Sequence, residues 1–146
     1  MPIKQTDPKG AYEVLTSDPG AIYLDVRSEN EFADGHPAGA INVPVLFMRA
    51  PGQMESNDDF VAVVEKIIAK DKRLVVGCMA GGRSQRACEL LEQSGFSELT
   101  NVRGGFGGTR DTNGVVVVRG WKDSGLPVST DLGESSYQSL RKKAGI

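Results

Sequence analysis

Apolar positions along this chain follow two alternating rhythms. Short uninterrupted runs, Ala21–Val26 (AIYLDV), Ala40–Val43 (AINV), Arg73–Gly77 and Leu99–Val102, have the length of buried strands. Between them lie longer segments whose apolar residues recur at helical spacing. The clearest is NDDFVAVVEKIIAK, in which Phe60, Val63, Val64, Ile67 and Ile68 fall on one face. Asn57 is expected to cap this helix, with Asp58 and Asp59 at its start and Lys70 at its end, as the helix dipole favours. Asp7-Pro8 opens an earlier helix running to about Thr16, because Asp caps and proline suits the first helical position. Ser28–Phe32 predicts a helical turn stopped near Gly35. Ser84–Gln93 predicts a helix ended at Gly95. Residues 45–56, with Pro51 and Gly52, read as a loop. Short apolar strands alternating with amphipathic helices predict an α/β fold, a parallel sheet with helices on both faces. In open sheets of this kind, sites lie at the carboxyl ends of strands.

Composition narrows the function classes. At 146 residues, with 39% hydrophobic and 25% charged residues, the chain has the profile of one globular domain. The net charge of -2 and the lack of a dominant basic patch argue against nucleic acid. No apolar run approaches the roughly 18 residues of a membrane span. The start, MPIKQTDPKG, lacks the layout of a secretory signal. Two cysteines, Cys78 and Cys88, make no disulfide framework, so a reduced, cytoplasmic protein is expected.

The stretch LVVGCMAGGRSQRACELL, residues 74–91, carries the chemistry. An apolar strand ends at Gly77 and delivers Cys78 to the carboxyl edge of the sheet. The Met79-to-Arg83 backbone is able to turn several N–H groups inward, with Gly81 and Gly82 allowing the dihedrals required. The following helix aims its positive end at the same point, and Arg83 and Arg86 add charge. Such a cup suits a thiolate, the nucleophilic form of cysteine, and an oxyanion. The competing reading is a structural cysteine at a strand end.

Cys78-Met79-Ala80-Gly81-Gly82-Arg83-Ser84 resembles the active-site loop of the rhodanese sulfurtransferases. LDVRSENEFADGHPAGAINVP, Leu24 to Pro44, resembles the family's upstream signature at Asp25, Arg27, Glu31, Phe32, Gly35, His36, Gly39, Ala40, Ile41, Asn42 and Pro44. Gly104-Gly105-Phe106 and Trp121 with Gly125-Leu126-Pro127 resemble its closing segment. The resemblance is to single-domain members of the thiosulfate sulfurtransferase type. It implies a five-stranded parallel sheet flanked by helices, no cofactor and no metal. It implies Cys78 as sulfur carrier, with Met79, Ala80, Gly81, Gly82, Arg83 and Ser84 as the substrate-binding loop. Cys78 would take the outer sulfur of thiosulfate, or of another sulfane-sulfur donor, as a persulfide. Cyanide or a thiol, such as glutathione, thioredoxin or dihydrolipoate, would then accept it in covalent, ping-pong chemistry. Asp25, Arg27 and His36 are expected to support the site structurally. Arg49 is a candidate anion contact or a solvated side chain. Cys88 is expected to be a buried, inert thiol.

Two alternatives stay open. The fold also hosts Cys-dependent phosphatases and arsenate reductases, but the phosphatase loop has five residues between Cys and Arg, whereas four separate Cys78 and Arg83. A rhodanese-like module that only binds a partner is the other; such modules usually lack the cysteine. The domain is expected to span residues 1–130, with an inserted hairpin at 107–120 signalled by Asn113-Gly114 and the Val115–Val118 run. Residues 131–146 form an extension expected to be helical, with Tyr137, Leu140 and Ala144 on one side. The exposed hairpin is compatible with a monomer or a homodimer.

Overall fold

The computed structural model describes residues 3–146; of the MPIKQTDPKG start, Met1 and Pro2 lie outside the described residues. In chain order the elements are β1 (Lys4–Thr6), α1 (Pro8–Ser17), β2 (Ile22–Asp25), α2 (Glu29–Asp34), β3 (His36–Pro37) and β4 (Ile41–Asn42). There follow β5 (Leu46–Ala50), β6 (Gln53–Ser56), α3 (Phe60–Ile67), β7 (Leu74–Gly77), α4 (Gly82–Gln93) and β8 (Leu99–Val102). Last come β9 (Thr109–Arg110), β10 (Val116–Val118), β11 (Val128–Ser129) and α5 (Tyr137–Ala144).

Five strands form one parallel sheet in the order β1-β8-β7-β2-β4, as the α/β reading requires. Alternate residues of the strands feed two cores, because successive side chains point to opposite faces. Leu24, Val26, Leu74 and Val76 pack with Phe60, Val63 and Val64 of α3, Cys88 and Leu91 of α4, and Tyr137 and Leu140 of α5. Tyr23 and Val75 pack on the other face with Ala11 of α1, Phe32 of α2 and Trp121. β7 is buried throughout, which explains its unbroken apolar sequence. Among the described residues no helix is long and apolar enough to cross a membrane.

Three local expectations need correction. Residues 45–56 are not a loop: β5 and β6 pair antiparallel around the Pro51-Gly52 turn, with Gly52 at φ +75°. All four residues of β6 are exposed, so no apolar alternation marked the strand. Asn57 is not the cap of α3. The helix begins at Phe60, and the Asn57 side chain accepts from the Asp59 N–H at 3.0 Å while donating to the Pro44 carbonyl at 2.8 Å and to Tyr137 Oη at 2.9 Å. It ties three segments together instead. Lys70 lies beyond the helix end and pairs with Glu65 at 2.9 Å.

At the other end of the chain, the β9–β10 hairpin turns at Asp111–Gly114. The Asp111 carboxylate accepts from the N–H groups of Asn113 and Val115. Its tip leaves Val115, Val116 and Val117 exposed.

Candidate active site

β7 lies between β8 and β2 and hands the chain directly to Cys78. Helix α4 begins at Gly82, earlier than the sequence suggested, so the turn from strand to helix occupies only Cys78–Gly81. Gly81, at φ +124°, makes this tight reversal, a backbone region that side chains disfavour. Its N–H points at Cys78 Sγ, 3.1 Å away. Cys78 is 2% exposed and lies before the first turn of a twelve-residue helix, whose positive end favours negative charge.

The loop's carbonyls face the opposite way. The Phe106 N–H donates to the Cys78 carbonyl at 2.8 Å and the Gly107 N–H to that of Met79 at 2.9 Å. The Ala80 carbonyl accepts from the Gly104 N–H at 3.2 Å and from Thr109 Oγ1 at 2.8 Å. Residues 104–109 thus hold three of the loop's carbonyls, and the Gly81 N–H meets the sulfur. Gly105 makes this packing possible: a Cβ there would stand 2.2 Å from the Cys78 carbonyl oxygen.

Arg83 sits in the first turn of α4 and is not a free cation. Its Nη1 and Nη2 donate to the two carboxylate oxygens of Glu31 at 2.7 and 3.0 Å. Glu31 is fixed from its own side by a capping box, in which Ser28 N–H and Oγ both lie 3.1 Å from Glu31 Oε1. Burial works to raise the Glu31 pKa, but the hydrogen bonds and charge of Arg83, with help from Ser28, hold the carboxyl down at about 2. The same hydrogen bond pushes the Arg83 pKa up. Nothing in the sequence links residues 31 and 83; the Ser28-x-x-Glu31 pattern was the only visible signal.

The other predicted residues divide into those near the loop and those elsewhere. Ser84 is fully buried and bonds to Asn101 Oδ1 and the Gly81 carbonyl, so its hydroxyl braces the loop from behind. Met79 lies against Gly107. Asp25 and Arg27 form a buried ion pair at 2.8 Å, each 1% exposed. Arg27 also donates to the Gly35 carbonyl at 2.7 Å and stacks on Phe106, whose N–H holds the Cys78 carbonyl. His36 is buried; its Nδ1 donates to the Phe32 carbonyl at 2.7 Å and its ring stacks on Phe32. Arg49 is engaged on its own hairpin, with Glu55 at 2.7 Å and the Phe47 ring. Cys88 is in the core, where burial pushes its thiol up to about 12. Among the described residues no cluster of His, Cys, Asp or Glu is placed to hold a metal ion.

Fold and loop together define a parallel α/β domain whose central strand delivers a cysteine into a short turn before a helix, with a backbone N–H on its sulfur. Residues 8–111 match the model of the rhodanese-like domain, and the chain belongs to that family, as its motifs indicated. It is similar to Thiosulfate sulfurtransferase 16, chloroplastic, of Arabidopsis thaliana, with 37% identity over 117 residues, 80% of this chain and 85% of that protein. It is equally similar to Protein HIGH ARSENIC CONTENT 1, mitochondrial, of the same plant, with 37% identity over 113 residues. That match covers 71% of this chain but 66% of the relative, so the chain spans just under two thirds of that relative's length. Among solved structures, the crystal structure of Rv0390 from M. tuberculosis superposes with a TM-score of 0.74 at 28% identity, covering 90% of this chain and 100% of that one.

Proposed function

We propose that the protein is a sulfurtransferase in which Cys78 carries the sulfane sulfur. The observation that carries this reading is the Gly81 N–H aimed at Cys78 Sγ from 3.1 Å, in a loop whose Cys78, Met79 and Ala80 carbonyls are held by residues 104–109. Such a pocket stabilises a sulfur anion, whether the thiolate or the terminal sulfur of a persulfide. The thiolate attacks the outer sulfur of thiosulfate, a new S–S bond forms, and sulfite departs with the electron pair of the old one. Cyanide or a thiol then takes the terminal sulfur and Cys78 leaves as thiolate. Arg83 meets the donor's oxygens with the N–H groups not spent on Glu31. The relatives named thiosulfate sulfurtransferase support thiosulfate as donor.

The test is steady-state thiocyanate formation from thiosulfate and cyanide, comparing wild type with Cys78→Ser. The serine variant is expected to fall to the uncatalysed background. A serine variant as fast as wild type would end this reading.

A further inference from the structure

The peptide unit between Ala80 and Gly81 faces two ways. Its N–H meets Cys78 Sγ at 3.1 Å, and its carbonyl meets the segment that follows β8. Because the unit is planar and trans, fixing the direction of one end fixes the other. Whatever holds the Ala80 carbonyl therefore aims the Gly81 N–H.

The backbone alone does not decide this orientation. Rotating the unit by half a turn would carry Gly81 from φ +124° to about −60°, the ordinary helical region, and glycine is at ease in both. The rotated unit would present the Ala80 carbonyl oxygen, a partial negative charge, to the sulfur. That would oppose the thiolate and the anionic persulfide alike. Two contacts act against the rotation. The Gly104 N–H reaches the Ala80 carbonyl at 3.2 Å, and Thr109 Oγ1 reaches it at 2.8 Å. The hydroxyl makes the shorter contact. Among the described residues, Thr109 is also the one side chain that hydrogen-bonds a carbonyl of residues 78–80.

Thr109 is itself held in place. It opens β9, opposite Val118 of β10. The Gly108 N–H just before it donates to the Gly104 carbonyl at 2.6 Å. Gly104 lets the hairpin approach this closely, since a Cβ there would stand 2.6 Å from Val118 Cγ1. The β9–β10 hairpin thus seats a hydroxyl on the reaction loop.

We propose that Thr109 is a positioning residue, whose hydroxyl latches the Ala80–Gly81 peptide with its N–H on the Cys78 sulfur. Its part in turnover rests on the sulfurtransfer reading above. The latch favours the anionic sulfur both before a sulfane sulfur is taken up and while it is carried.

The test exchanges the hydroxyl for a methyl in Thr109→Val, which keeps the branched shape, and keeps a hydroxyl without the methyl in Thr109→Ser. Thiolate formation is followed across pH by ultraviolet absorbance, with the Cys78→Ser form of each protein as blank to remove Cys88 and the tyrosines. In Thr109→Val the midpoint is expected to rise by about half a pH unit or more, because the charged sulfur loses a hydrogen bond. Its kcat/KM for thiocyanate formation should fall roughly fivefold. Thr109→Ser should keep both near wild type. The Gly81 amide proton, read by NMR, should move with the thiolate midpoint in wild type and Thr109→Ser, and much less in Thr109→Val. A midpoint unmoved in the valine variant, or a serine variant displaced as far as the valine one, overturns the proposal. A shifted midpoint with unchanged kcat/KM refutes the part in turnover. A wild type that forms no thiocyanate fails the sulfurtransfer reading instead, and the absorbance and NMR titrations still decide the latch.

Discussion

Glu31 uses one carboxylate for two purposes. It closes the capping box of α2 and holds Arg83 of α4, 52 residues away. Its carboxyl titrates at about 2 in the fold, below the roughly 4.3 of an unfolded chain. As pH falls, the unfolded chain therefore takes up the proton first. The stabilisation is full above about pH 4.5 and is lost as pH falls toward the folded value. Discounted for its partial exposure, the pair contributes about 1–2 kcal/mol. Glu31→Gln keeps the capping box but loses the charge. Thermal melts of the two proteins should differ most near neutral pH and converge toward about pH 2.5. A gap independent of pH would locate the effect elsewhere. Gly105 sets the second limit at this scale. Gly105 and Gly39 both have positive φ, +50° and +86°, but Gly39 has no heavy atom within 4 Å of a built Cβ. Gly39→Ala should cost about 1 kcal/mol of backbone strain. Gly105→Ala adds a clash with the Cys78 carbonyl and should cost about 2–4 kcal/mol. Urea midpoints measure both, and thiocyanate formation should fall in the Gly105 variant alone.

Among the elements, those that pack on the sheet were legible from their apolar period; of the two hairpins off the sheet, β9–β10 was legible from its turn signal and β5–β6 was not. The α3 stripe of Phe60, Val63 and Val64 faces the core as its spacing indicated. The β5–β6 hairpin escaped notice because its residues are half-exposed or exposed, so neither face imposed an apolar period. The Val115–Val118 run carried the opposite signal, high strand propensity with little burial. Helix α5 lies over α3 rather than trailing free. Tyr137 and Leu140 are 3% and 6% exposed, and Tyr137 Oη accepts from the Asn57 side chain. Leu140→Ala should therefore cost about 2–3 kcal/mol in urea denaturation. Gln138→Ala, on the exposed side of the same helix, should change stability by less than about 0.5 kcal/mol. Equal losses at the two positions would mean that α5 contributes helix propensity and not packing.

At the scale of the whole molecule, the parallel α/β sheet and the place of Cys78 at a strand's carboxyl end followed from short apolar strands alternating with helices, whereas the strand order did not. What joins distant segments did not: the Glu31–Arg83 pair, the hold of residues 104–109 on the loop carbonyls, and the Asn57 knot are contacts that no local pattern encodes. The Asp25–Arg27 pair is intermediate, since two charges closing a buried strand are visible in sequence while their partners are not. Arg27 reaches Asp25, the Gly35 carbonyl and the face of Phe106, and so joins the end of β2 to the segment that carries the Cys78 carbonyl. Removing either charge leaves the other buried and unpaired, which costs about 3–5 kcal/mol. Asp25→Asn and Arg27→Met should each lower stability by that amount. The double variant should lose less than the sum, because no orphaned charge remains. The double-mutant cycle, read from urea denaturation, is expected to show coupling of at least about 1.5 kcal/mol. Additive losses would mean that the two side chains act independently, and that the Gly35 and Phe106 contacts of Arg27, rather than its charge pair, hold this edge of the sheet.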